Sequence, residues 1–231
     1  MKSLRQVVHA IGKKNMPCHT PDIYQFETVT EQKKFLRKRA KTFLREYTAD
    51  EELMKQCALS ALKSVTESDV YKSAPFVFGF MPMKDELDIS LVMEQALKDG
   101  KKLLLPRMHS DSNEMDFYFV DSLSEASDDD NSFSIKEPSV SCRKLEISEI
   151  PEGALVFVPG LAFNLEGQRL GRGKGFYDRF LSLLPSDKNI SLCGVCFTIC
   201  VTKAIPVEPN DRPVTHLLTE YGLVKAVTCS N

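Results

Sequence analysis

No run in this 231-residue sequence approaches the 18 or more apolar residues of a membrane-spanning helix. A membrane partner is therefore not expected. Excess charge is missing too: 30 Lys and Arg against 32 Asp and Glu leave a formal net charge of −2. The chain as a whole is not built to hold a polyanion, so no nucleic-acid partner is expected and any anion site must come from local clustering. Histidine is scarce, and the four residues at 9, 19, 109 and 216 show no zinc-ligand spacing. The seven cysteines (18, 57, 142, 193, 196, 200 and 229) are odd in number and mostly set in apolar surroundings. That pattern fits reduced thiols in a cytoplasmic protein better than a disulfide framework. Met1 to Thr20 lacks the apolar core of a signal peptide. Lys2, Arg5, Lys13 and Lys14 precede its first acid, Asp22, so a mitochondrial leader is the alternative to a plain solvated extension. No internal repeat is visible.

The composition, 42% hydrophobic and 27% charged, is that of a soluble globular protein. A chain of this length can bury about 70% of its unfolded surface without staples. Residues 1–27 read as an extension and 28–231 as one α/β domain. Thr28 to Glu31 reads as a capping box that opens a helix, and Thr48 to Glu51 as a second. Leu36, Ala40, Phe43, Leu44 and Tyr47 recur at helical spacing behind the first box. Pro75 to Met81 reads as a buried strand, and a helix from Ile89 to Lys98 follows with Asp88 as its cap. Lys102 to Leu105, stopped by Pro106, and Met115 to Val120 read as strands. So do Ala154 to Val158, Ile190 to Ile199 and Leu217 to Thr219. Asp121 to Ser134 is acidic and serine-rich, and reads as a surface loop. A helix is expected from Phe176 to Leu184, ended by Pro185. Strand and helix in alternation imply a mainly parallel sheet with helices on both faces.

Chemistry concentrates in VPGLAFNLEGQRLGRGKGFYDRFL, Val158 to Leu181. Within it, Gly171-Arg172-Gly173-Lys174-Gly175 sets two cations between three glycines. Glycines let backbone N–H groups approach an anion closely. The helix that follows presents its N-terminus, which favours negative charge. Arg169 and Arg179 flank the spot. The run is neither a Walker A loop nor GxGxxG. Asp178, three residues after Gly175, is placed to hold Mg²⁺ against bound phosphates. Read alone, the glycines could equally serve turns, and Asp178 could simply complement the helix dipole.

The same run resembles the signature of the 5-formyltetrahydrofolate cyclo-ligase family, a PGLAF-type strand end followed by RLGRGKGYYDRFL. Weaker echoes are KKFLR (33–37), KDELD (84–88), LPR (105–107), KEP (136–138) and the closing NDRPVTHLLTE (210–220). The resemblance implies a three-layer α/β/α sandwich. It implies ATP-dependent closure of 5-formyltetrahydrofolate to 5,10-methenyltetrahydrofolate by a cytoplasmic enzyme that acts as a monomer. By the same likeness ATP contacts fall to Lys33, Lys34 and Arg37, and to the segment Arg169, Leu170, Gly171, Arg172, Gly173, Lys174, Gly175, Phe176 and Tyr177. Folate contacts fall to Met81, Glu86 and Arg172 to Phe176, Mg²⁺ ligands to Asp178 and Asp211, and catalytic roles to Lys174, Arg172 and Tyr177. Alone, Lys33, Arg37, Lys41 and Arg45 would read as a solvated helix stripe, and Asp211 as a turn residue.

The sequence departs from the family pattern at Phe176 (usually tyrosine), Cys200 (often glutamine), Asn210 (commonly histidine) and Ile89-Ser90 (a threonine region). None of these removes a phosphate or metal group. A non-catalytic nucleotide- or RNA-binding regulator on the same fold is the alternative function. A redox role for Cys193-Gly194-Val195-Cys196 is a third, against which the apolar run around it argues for a core strand.

Overall fold

The computed structural model describes residues 25–109, 111–112, 114–127, 135–208 and 211–227. Most of the expected extension, with Cys18, His9 and His19, lies outside these residues, as do Asn210, Cys229 and residues 128–134 of the acidic loop.

Helix α1 (Val29–Tyr47) opens with the expected reciprocal box. Thr28 Oγ1 accepts from Glu31 N at 3.2 Å, and Glu31 Oε2 accepts from Thr28 N at 3.3 Å. The second box does not form. Thr48 instead closes α1 by donating its hydroxyl to Leu44 O at 2.8 Å. Asp50 caps α2 (Glu51–Thr66) by accepting from Leu53 N at 3.0 Å. After the short α3 (Asp69–Ser73) comes α4 (Ser90–Lys98), capped at Ile89 rather than Asp88. Asp88 still accepts from Ser90 N at 2.7 Å, so its carboxylate serves the same helix end from one residue further out. Helix α5 (Phe176–Leu183) follows the glycine-rich loop.

The strands are β1 (Phe76–Phe78), β2 (Lys102–Met108), β3 (Met115–Val120), β4 (Ala126–Ser127), β5 (Glu137–Pro138) and β6 (Leu155–Pro159). They continue with β7 (Ala162–Asn164), β8 (Arg169–Leu170), β9 (Ser191–Val195), β10 (Val201–Thr202), β11 (His216–Thr219) and β12 (Gly222–Lys225). Seven of them form one sheet in the order β12-β11-β9-β6-β1-β2-β3. The middle is parallel, and only the edge strands β3 and β12 run antiparallel to their neighbours. Parallel strands covered on both faces read as continuous apolar runs, which is why Leu155 to Val158 is buried throughout.

Alternation along the strands assigns the layers. Phe76 and Phe78 meet Phe119 and Phe117 at ring-centroid distances of 5.5 and 5.1 Å. Phe180 of α5 stacks on Phe117 at 4.5 Å. The opposite face takes α4, where a Cβ on Gly79 would lie 2.2 Å from the Met93 sulfur. Helix α2 packs against α4 and the β11–β12 hairpin, with Ser64 Oγ accepting from Leu223 N at 2.7 Å. The result is the three-layer α/β/α arrangement.

Two strand boundaries differ from the sequence reading. Strand β2 runs through Pro106 to Met108, because β1 pairs with it only as far as Leu104. Beyond that point one edge of β2 has no strand partner, and a residue without an N–H is tolerated there. The apolar run at 190–199 ends as a strand at Val195 and turns into a 3₁₀ segment, Thr198–Cys200. The Glu220 carboxylate draws it away by accepting from Thr198 N at 2.7 Å and from its hydroxyl at 3.1 Å. Cys193 and Cys196 are both buried, and burial pushes the Cys193 thiol pKa up. They are core packing, not a redox pair.

The ring of Phe163 fills the space between two glycines. A Cβ would come within 2.4 Å of it at Gly194 and 2.6 Å at Gly160. Gly194→Ala is expected to destabilise the fold by about 1–3 kcal/mol through overpacking, read as a lowered urea midpoint. Adding Phe163→Leu should recover part of the loss. An unchanged midpoint for Gly194→Ala would contradict this packing.

Candidate active site

The sheet's parallel strands end at a cleft of about 640 Å³, lined from α1, the ends of β2, β3 and β6, the segments after β1 and before β5, and the glycine-rich loop. Gly173 and Gly175 have φ of 100° and 76°, in the left-handed region that side chains resist. Gly175 is the N-cap of α5 and supplies no side chain to its first amides. Those donors can therefore serve an anion, and the helix dipole favours one there.

The cations around the loop are already engaged. Arg37 of α1 donates Nε to the Gly171 carbonyl at 2.9 Å. Arg169 pairs with Asp178 and also donates to Pro159 O at 3.2 Å. Lys33 is buried and bridges Glu208 at 2.6 Å and Asp211 at 2.7 Å. Burial works against its charge, but the two carboxylates outweigh it and hold the ammonium pKa above the usual value. Arg172 reaches Asp85 at 2.5 Å and Glu86 at 3.0 Å. Glu86 also accepts from Met83 N at 3.0 Å. Burial raises the Glu86 pKa, with Arg172 and the Met83 amide opposing.

Lys174 differs from these. It is exposed at the cleft, and among the described residues its ammonium has no hydrogen-bond or ion-pair partner. The Tyr177 hydroxyl is buried and has no hydrogen-bond partner among the described residues. Opposite the loop, Met81, Met83, Met108, Met115, Pro106 and Phe80 form an apolar wall.

The structure thus brings Lys33, Arg37, Met81, Glu86, Asp178, Asp211 and the whole segment from Arg169 to Tyr177 to one cleft. Lys34 is exposed and does not line it. One position along α1 from Lys33 turns a side chain by 100°, off the face that Lys33 and Arg37 share. Sequence reasoning did not single out Asp85, Glu208 or the methionines at 83, 108 and 115. Adjacency to Glu86 was the one signal for Asp85, and nearness in sequence to Asp211 the one signal for Glu208.

The sequence profile of the 5-formyltetrahydrofolate cyclo-ligase family matches residues 29–220. This chain belongs to that family. The mouse 5-formyltetrahydrofolate cyclo-ligase is 30% identical over 196 residues, covering 84% of this chain and 96% of that protein. A probable 5-formyltetrahydrofolate cyclo-ligase of Schizosaccharomyces pombe is 29% identical over 180 residues, 74% of this chain and 87% of that one. Among solved structures, the Aquifex aeolicus 5,10-methenyltetrahydrofolate synthetase superposes with a TM-score of 0.70 at 28% identity, over 86% of this chain and 95% of that one. The cyclo-ligase fold and the cleft are therefore found together in this chain.

The raised Glu86 pKa has a signed consequence. Its protonated form is favoured by folding, so that contribution is complete below the ordinary glutamate pKa of 4.5 and is lost as pH rises through the higher folded value. Glu86→Gln is expected to gain stability relative to wild type as pH rises from about 4 to 7. Urea midpoints across that range measure it, and parallel profiles would contradict the burial argument.

Proposed function

We propose that this chain closes 5-formyltetrahydrofolate to 5,10-methenyltetrahydrofolate with ATP, releasing ADP and phosphate. One observation carries the reading: a cation-lined glycine loop at a helix N-terminus shares a single cleft with an apolar wall and the partly buried Glu86. A polyphosphate suits the first side, and a flat heteroaromatic ring suits the second.

The formyl carbon is a poor electrophile because N5 donates into it, and its oxygen is a poor leaving group. Transfer of the γ-phosphoryl group to that oxygen breaks the β–γ bridge and frees ADP. N10 then attacks the activated carbon, loses its proton, and phosphate departs. The protein positions the reactants and neutralises charge. Lys174 meets the transferring group, as the loop cation that has no internal partner among the described residues to give up. Arg172, held by Asp85 and Glu86, sits where the loop meets the folate side. The Tyr177 hydroxyl, buried and without a hydrogen-bond partner among the described residues, would donate to a reacting oxygen.

Asp178 and Asp211 fit a magnesium ion that arrives with ATP, since Mg²⁺ uses one or two carboxylates and takes its remaining ligands from phosphates and water. Both line the cleft. Bound there, the ion would supply neutralising charge to the phosphates. The reading places the chain in the cytoplasm as a monomer acting on small molecules.

Turnover is read from the methenyl chromophore in the near ultraviolet. Lys174→Ala is expected to lower kcat by about 10²–10³, the loss that follows removal of one preorganised charge. Lys174→Arg should restore it only in part, because a planar fork does not replace a compact ammonium. A near-wild-type Lys174→Ala enzyme would remove the loop from the phosphate site.

For the metal, Asp178→Asn is expected to raise the Mg²⁺ concentration for half-activity by about tenfold or more, with a lowered melting temperature because the largely buried Arg169 side chain loses its carboxylate. Full activity of that variant in EDTA-treated buffer would refute the assignment.

A further inference from the structure

The cleft's cations divide by commitment. Lys33, Arg37, Arg169 and Arg172 are each bound to a carboxylate or carbonyl, as described above, and Arg179 donates to Lys174 O at 2.8 Å. Three lysines that line the cleft, Lys41, Lys174 and Lys136, have no such partner among the described residues. Lys174 stands in the glycine loop. Lys41 continues the α1 face of Lys33 and Arg37, which is tied to that loop through Gly171. Both belong to the polyphosphate side.

Lys136 does not. It precedes β5 and lines the cleft beside Ile135, Met108 and Met115, at the end of the β2–β3 ladder where those two methionines are register partners. Its backbone position is built rather than incidental. The next residue, Glu137, is buried and accepts from Met108 N at 3.0 Å. Arg107 donates to Pro138 O at 2.9 Å. These two bonds fasten the segment to β2 and leave the exposed Lys136 at an apolar floor, with no partner for its charge among the described residues.

We propose that Lys136 receives the carboxylates of the folate's glutamyl tail, and so sets preference for that end of the substrate. The inference rests on the folate reading above. Folates carry an aromatic amide that ends in carboxylates at the pole remote from the pterin. An apolar floor followed by one uncommitted cation matches that order of groups. Asp85 and Glu86, at the Arg172 side, repel carboxylates and orient the tail away from themselves. Longer γ-linked tails bring further negative charge to the same exposed lysine.

The test compares wild type, Lys136→Met and Lys136→Arg with 5-formyltetrahydrofolate, its triglutamate, and 5-formyltetrahydropteroate, which lacks glutamate. Lys136→Met should raise KM for the monoglutamate about two- to fivefold, the range for an exposed ion pair. The triglutamate should suffer more, while kcat and the KM for ATP stay level. Lys136→Arg should keep most of the affinity. The pteroate should show the same KM with all three proteins. A raised KM for ATP, or an equal penalty on the pteroate, would overturn the assignment. If Lys136→Met melts below wild type, Lys136→Gln takes its place. No turnover by wild type removes the cyclo-ligase reading itself, whereas normal wild-type turnover with an indifferent Lys136→Met removes this inference alone.

Discussion

Helix α1 is joined to the rest of the site by charge. Arg37 holds the Gly171 carbonyl at 2.9 Å, and the buried Lys33 ammonium bridges Glu208 and Asp211 at 2.6 and 2.7 Å. An ion pair taken out of water returns little net stability, yet leaving one partner alone is costly. Lys33 therefore works less as a source of stability than as a constraint. With it in place, Glu208, Asp211 and the helix must approach together, and the glycine loop is fixed from the same helix one turn later. The cleft exists because these three pieces of chain are held in one arrangement.

That arrangement also explains why so many cations can share a small volume. Crowded positive charges repel unless each is matched, and four of them are matched by carboxylates or carbonyls from other elements. A triphosphate entering the cleft would trade anion for anion instead of finding bare charge. The trade is selective, because a carboxylate released from its cation becomes available to a metal. Asp178 leaving Arg169, and Asp211 leaving Lys33, would turn two internal ion pairs into two metal ligands. On the proposed reading, the observed ion pairs and the coordination of a bound metal would be two uses of one set of side chains.

The sequence made some of this plain and hid the rest, for physical reasons. The glycine loop was legible because its cations, its glycines and the helix behind it are contiguous, so spacing alone carried the chemistry. The sheet was legible because parallel strands leave continuous apolar runs. Contacts closed by the fold were not. Lys33 and Asp211 stand 178 positions apart, and Arg172 and Glu86 86 apart, so neither pairing has a local signature. Pro106 misled because a proline is read as a stop, whereas the edge of β2 beyond Leu104 has no strand ladder for it to interrupt. Thr48 misled because its hydroxyl serves the preceding helix first. The methionine wall was unreadable for the opposite reason: scattered apolar residues carry no period that marks a surface they will share.

The far end of α1 shows how the constraint on the site extends into the core. Tyr47, in its last turn, donates to the Glu220 carboxylate at 3.1 Å, and the same carboxylate caps the 3₁₀ segment through Thr198. Burial raises the Glu220 pKa, while the bonds from Thr198 and Tyr47 oppose it. A carboxylate in that position must keep its donors, since an unpaired buried charge costs several kcal/mol. Helix α1 is thus pinned at both ends by acids from the last third of the chain, Asp211 at one end and Glu220 at the other. A rigid rod with two fixed points cannot pivot. The Arg37 contact between them inherits its precision from that, and through Gly171 so does the loop that carries Lys174.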